Sequence, residues 1–245
     1  MNAEELRAVA MEMEPLAPHV DYLLGIARPC VDISVVEDAP TTPECSRFGG
    51  DPLVSRDFQW PAAKVGEYRF LGQINFSEFS DPSLQLPGTG LLSMFFLHDE
   101  AGEAFWGDDG FVVAFYSENV GNLQTIRSPG SSTAAAKRLK LTAGLSLPRC
   151  PELREDWPAD DDFEGCLFDD LPAKAGTASD YLLGYPYFYS LGYDPTPGPG
   201  WVPLLTLDSR DEFEWCWHDM AMLMVFIEAD KLACRDFSCL KCDAG

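Results

Sequence analysis

Apolar residues run almost without interruption through two pairs of segments. The first pair is Phe70-Leu71-Gly72-Gln73-Ile74-Asn75 with Leu91 to Leu97. The second is Pro203-Leu204-Leu205-Thr206-Leu207-Asp208 with Ala221 to Ile227. Such runs suit strands buried on both faces, and the flanking glycines and aromatics favour strand over buried helix. Both pairs read as one strand–connection–strand unit used twice, with the remaining chain wrapped around the two copies. Elsewhere the period changes. Leu6, Val9, Ala10 and Met13 share a helical face, Pro15 and Pro18 interrupt it, and Val20, Leu23 and Leu24 resume it. That predicts two short helices, or one with a break, over residues 3–26. The alternation Val31 to Val36 predicts a strand, as do Phe111 to Tyr116 and Leu139 to Leu147. A helical turn over Glu228 to Leu232 and a last strand near Phe237 to Cys242 close the chain.

Short strands, few helices and no strand–helix alternation predict an α+β fold. Its sheets are expected to be mixed and largely antiparallel, with internal pseudo-duplication and short N-terminal helices. No linker separates the copies. Residues 1–245 are therefore expected to form one domain, with 1–45 a helical extension plus strand and 46–245 the core.

Charge narrows the partners. The chain carries 40 acidic against 17 basic residues, a net charge of -23. Such a field repels polyanions and favours cationic company, so nucleic acid and anionic membrane surfaces are poor partners. No apolar run approaches the ~18 residues of a membrane span. The start, Met1 to Leu6, lacks the basic and apolar regions of a secretory signal. A cytoplasmic location is expected, where the eight scattered cysteines stay mostly reduced.

The order of several motifs resembles the YwqG-like family, bacterial proteins of unknown function. They are Ser46 to Pro52, Trp60-Pro61, Phe70 to Asn75, Leu86-Pro87 with Gly90-Leu91-Leu92, and Leu183 to Pro186. Leu204 to Ser209, Trp217-His218-Asp219, Asp230-Lys231-Leu232 and Asp236-Phe237 complete the set. The resemblance runs from about residue 46 to the C-terminus. It also implies departures. The family usually has Gln where Thr206 stands, and Trp-Gly-Asp-Ala-Gly where this chain has Trp217 to Ala221. The family supplies no reaction.

Gln73, Asn75 and Asp208 hold matching points of the two copies. Together with Trp60, Trp217 and Asp219 they are the candidate ligand-binding set, a polar cluster beside aromatics. The competing account is that these groups bond buried backbone at strand ends. His218-Asp219 with Cys216 has the residue types of a base, its orienting carboxylate and a thiol, but neighbours on a strand point to opposite faces. Cys234, Cys239 and Cys242 fall short of a four-ligand zinc site. No phosphate-binding loop, serine elbow or His-Glu-x-x-His motif occurs. No catalytic residue, metal or cofactor is assigned, and the reading leans away from an enzyme.

The densest acidic stretch is Glu152 to Asp170. Asp156, Asp160, Asp161, Asp162, Glu164, Asp169 and Asp170 are its candidate partner-binding residues, on what reads as a solvated loop. The favoured function is an acidic protein-binding domain that docks a basic protein. An immunity or antitoxin protein facing a basic toxin is one form of it. The alternative is a small-ligand-binding or enzymatic domain with a pocket between the two copies.

Overall fold

The computed structural model describes residues 1–245 except 37–39, 80, 82–83, 130–133, 149–153, 155, 159–160 and 188–189. Helices α1 (Ala3–Met11) and α2 (Val20–Ile26) come first. Asn2 caps α1, its side-chain oxygen accepting from the Glu4 and Glu5 N–H groups. Strands β1 (Arg28–Val35), β2 (Arg47–Phe48), β3 (Leu53–Val54), β4 (Glu67–Asn75), β5 (Leu91–His98) and β6 (Val112–Ser117) follow. Then come β7 (Gln124–Thr125) and β8 (Lys137–Ser146), and α3 (Asp161–Gly165) and α4 (Leu171–Ala175), joined by a π-helical turn. The chain ends with β9 (Asp180–Leu183), β10 (Trp201–Asp208), β11 (Met222–Glu228), α5 (Ala229–Ala233) and β12 (Lys241–Ala244).

Ten strands form one sheet in the order β12-β11-β10-β9-β1-β8-β2-β4-β5-β6, and β3 pairs with β7 in a small second sheet. Every pairing among the described strands is antiparallel. This corrects the expected α+β class with mixed sheets: the chain is mostly sheet, curled into a nearly closed barrel, and its helices are short. The physical reason lies in the leading strands. β1 precedes the block β2-β4-β5-β6 in sequence but pairs with β9, while β8 precedes β9-β10-β11-β12 but pairs with β2. Because β1 and β8 also pair with each other, the two blocks fuse into one continuous sheet.

The two apolar hairpins share detailed geometry. Asn75 pairs with Leu91 and Asp208 with Met222. Each first strand carries a bulge at the same place, at Leu71 in β4 and at Leu204 in β10. In the first copy the bulge brings backbones close: a Cβ on Gly72 would lie 2.6 Å from the Arg47 carbonyl oxygen.

Alternate residues fill the barrel, among them Ile33, Phe48, Leu92, Met94, Leu205, Leu223 and Val225 in one core cluster. The outer faces are covered too. Phe58, Trp60 and Ile126 lie over Tyr68, Phe70 and Phe95, and Leu191 and Trp201 lie over Met224 and Phe226. Burial on both faces is why these strands read as unbroken apolar runs. The sheet edges β6 and β12 meet through side chains. Lys241 pairs with Asp109, Cys242 is buried beside it, and Tyr116 packs on Phe237 at 5.5 Å. Arg235 then pairs with Glu118 at 2.5 Å. The partners run in opposite directions, as an antiparallel seam requires.

Candidate functional site

Gln73 faces outward from β4 and is fully buried. Its Nε2 donates to the Pro43 and Cys45 carbonyls at 2.8 and 2.9 Å, and its Oε1 accepts from the Leu53 N–H at 3.3 Å. Asn75 donates to the Glu44 carbonyl at 3.0 Å and accepts from the Ser77 N–H at 3.0 Å. Both amides therefore hold the 43–53 loop on the outer wall. Arg47 works beside them: its buried guanidinium donates to the Pro43 and Asp51 carbonyls, each at 2.5 Å. Burial lowers the Arg47 pKa.

Asp208 lies elsewhere. Between β4 and β10 stand β2, β8, β1 and β9. Five strand spacings amount to roughly 24 Å along the sheet, too far for one small molecule to bridge. Trp60 sits with the first copy, where its Nε1 donates to the Tyr68 carbonyl at 3.0 Å and its ring packs on Phe95. Trp217 sits with the second copy, buried in the core, and its Nε1 donates to the Asp208 carbonyl at 3.3 Å. The structure thus divides the six candidates into two groups: Trp60, Gln73 and Asn75 on one wall, Asp208, Trp217 and Asp219 on the other.

The second group borders a cavity of about 500 Å³ on the outer face of β10, with Asp208 and Asp219 both on its wall. Asp208 ends β10, and its N–H donates to the carboxylate of Asp180 at 2.8 Å. Asp180 is buried and bonded by Arg210 at 2.5 Å. Burial raises the Asp180 pKa, against the pull of the Asp208 N–H and the Arg210 guanidinium. Asp219 stands at the tip of a short loop closed by the Ala221 N–H donating to the Trp217 carbonyl at 2.8 Å. Ser209 staples the loop: its hydroxyl donates to the Ala221 carbonyl at 2.8 Å and accepts from the Trp217 N–H at 2.9 Å. The residues on either side of Asp219 have left-handed backbones, His218 at φ 49° and Met220 at φ 62°. Such strain in non-glycine residues costs energy and concentrates at working sites. His218 stacks edge-on against Trp106, and Cys216 donates to the His218 carbonyl rather than to its ring.

The three C-terminal cysteines do not converge. Cys234 is exposed, Cys239 half-buried and Cys242 buried in the seam, where burial pushes its thiol up to about 12. Among the described residues no group of three or more His, Cys, Asp or Glu side chains could hold a metal ion.

From residue 161 onward the acidic stretch is helical, where a solvated loop was expected. Phe163, Leu167 and Leu171, spaced by four, bury against Leu6, Ala10 and Leu23 of α1 and α2. Asp162, Asp169 and Asp170 are exposed and Glu164 half-buried. Pro172 has no N–H and its ring crowds the preceding turn, which accounts for the wide π turn over Cys166–Asp170. Gly176, at φ 62°, ends the helix with its N–H on the Pro172 carbonyl at 2.9 Å. Asp156 is exposed and pairs with Arg154 at 3.1 Å. Asp160 lies outside the described residues, and of Asp161 only the backbone is described. The spacing Phe163-Leu167-Leu171 was available in the sequence as a helix signal; the density of carboxylates masked it.

An antiparallel barrel whose outer wall carries a carboxylate-lined cavity defines the class structurally. The chain belongs to the family described as Domain of unknown function (DUF1963), whose model matches residues 46–243. No curated protein matches it significantly. Among the described residues, no helix is long and apolar enough to cross a membrane.

Proposed function

We propose that this chain is an acidic, cytoplasmic protein-binding domain that docks a basic protein through the outward face of the 161–175 helix. The observation that carries this reading is the two-sidedness of that helix. Its apolar side is spent on α1 and α2, while Asp162, Asp169 and Asp170 stay exposed. A net charge of -23 supplies the long-range attraction. Many of the few cations are already engaged, Lys174 with Glu12 at 2.8 Å and Arg69 with Glu67 and Glu214 at 3.1 Å. An immunity or antitoxin protein covering a basic toxin surface is the specific form we favour. The likeness to YwqG-like proteins is compatible with that role, and we read residues 1–245 as one domain with no catalytic task.

The test is capture of partners from the native cell by the wild-type chain and by D162N/D169N/D170N. A basic partner held by the wild type should be lost from the triple variant and at about 0.3 M salt. Equal retention by both proteins, or indifference to salt, would defeat the docking face. A secreted-toxin gene beside this one would favour the immunity form.

A further inference from the structure

Strand β6 is bonded on one side only, to β5. The Leu97 N–H donates to the Phe111 carbonyl at 2.8 Å, so along that ladder Phe111, Val113, Phe115 and Ser117 turn their backbone groups toward β5. Ala114 and Tyr116 turn theirs the other way. Among the described residues no strand meets them there. β12 begins at Lys241 and pairs with β11, and the neighbour of Tyr116 is the 235–238 turn, through Phe237 and the Arg235–Glu118 pair. Sheet edges are normally blunted by charge, proline, a bulge or brevity. Val112 to Ser117 is six residues long, with no charge, no proline and an unshifted register. The other edge, β12, is four residues long and carries Lys241 and Asp243.

A cavity of about 510 Å³ opens beside this edge, bordered by Val113 to Ser117, by Arg235 to Ser238 and by Phe58. Its walls select an extended chain. On the inner side Tyr116 packs on the buried Phe237, which leaves no room for a large side chain. On the outer side Phe115 is 38% exposed and stands edge-on to Phe58 at 4.9 Å, an apolar shelf for the alternate side chains of an added strand. Charge selects the sign of the occupant. Asp109, Glu118 and Asp236 are exposed around the edge, and the cations Arg235 and Lys241 already pair with Glu118 and Asp109. A second copy of this chain would bring a further charge of -23 to the same edge, which disfavours self-pairing.

We propose that β6 binds an extended, basic peptide segment of a partner protein by antiparallel strand addition. The segment's backbone pairs with Ala114 and Tyr116, its small side chains turn toward Phe237, and its apolar ones lie over Phe115. Backbone pairing supplies affinity, and the alternation of side chains supplies selectivity. This goes beyond the docking helix. Among the described residues none of 161–175 borders the edge cavity, so the two surfaces are tested separately.

The probe is the capped, fluorescently labelled peptide Lys-Val-Ser-Val-Ser-Val-Lys, titrated with the full chain in about 0.15 M salt and followed by anisotropy. Saturable binding is expected, with a Kd of about 10–100 µM. In the proposed pairing the two serines sit opposite Ala114 and Tyr116 and donate their N–H groups to β6. Methylating those two nitrogens keeps every side chain and charge, and should weaken binding about tenfold or more. Ala114→Pro removes an edge N–H without touching the ladder to β5, and Phe115→Ser removes the shelf; each should weaken binding to a similar degree. D162N/D169N/D170N should leave the affinity within about twofold of wild type, because the helix takes no part. The methylated peptide needs no protein variant, so the test stands even if Ala114→Pro fails to fold. No saturable binding up to about 2 mM chain would overturn the proposal. So would equal affinity for the methylated and parent peptides, which is diffuse charge attraction, or loss of binding in the triple variant, which places the peptide on the helix. A wild-type dimer that Ala114→Pro dissociates would also overturn it, since the edge would then belong to a second copy.

Discussion

Met220 holds a left-handed backbone, φ 62°, with a side chain 53% exposed. The chain bears the cost of that conformation without gaining burial. Met220→Gly is expected to raise stability by about 0.5–1 kcal/mol, the relief of αL strain less the extra entropy of an unfolded glycine. A higher urea midpoint at unchanged slope would show it. His218 is strained in the same sense, at φ 49°. Cys242 makes a different prediction. Burial raises its thiol pKa from 9.0 to about 12. A group whose pKa is raised on folding stabilises fully below its unfolded value and loses that contribution as pH climbs to the folded one. Stability should therefore fall from about pH 9 upward, by up to about 1.4 kcal/mol per pH unit from this group. Cys30, whose thiol is also raised, by burial and the neighbouring Asp32, acts in the same direction. Cys242→Val should flatten the fall in part; identical pH profiles of melting temperature would refute the assignment. Gln73 was legible in part: the account that it bonds buried backbone holds, but a sequence does not say that this backbone belongs to a loop some thirty residues away.

At the scale of elements, legibility followed burial. The hairpins over 67–98 and 201–228 were readable because their strands are covered on both faces and so carry no polar alternation. Strands β1 and β8 were readable from their alternation. The 161–175 helix was not, because its three buried residues are outnumbered by carboxylates. The barrel was not readable either, since its closure depends on β1 crossing to β9 and β8 to β2, pairings between segments far apart in the chain. The seam between β6 and β12 makes its own prediction. Its ion pairs are exposed, with Asp109 at 80% and Glu118 at 71%, so water screens them and each contributes little. Phe237 is 3% exposed, stacked between Phe76 and Tyr116. Phe237→Ala should cost about 3–5 kcal/mol and Lys241→Gln far less. If the lysine change proved the costlier in chemical unfolding, closure would belong to the charges and not to the apolar seam.

For the whole molecule the governing quantity is the net charge of -23. Like charges crowded on one folded surface repel, and the unfolded chain relieves them by expansion. Monovalent salt screens that repulsion: the Debye length falls from about 14 Å near 0.05 M to about 4 Å near 0.5 M. The free protein should therefore melt higher in 0.5 M than in 0.05 M sodium chloride. A chain of this size gains about 3 °C for each kcal/mol of repulsion removed. Association with a basic protein must respond in the opposite sense, because the same ions screen attraction across the interface. The pair of signs is more diagnostic than either alone. Salt that raised both stability and affinity would point to an apolar contact surface, with the carboxylates serving solubility. Salt that lowered the melting temperature would mean the exposed ion pairs, such as Arg235 with Glu118, outweigh the surplus of negative charge. A melting curve and a binding isotherm, each at the two salt concentrations, separate these cases.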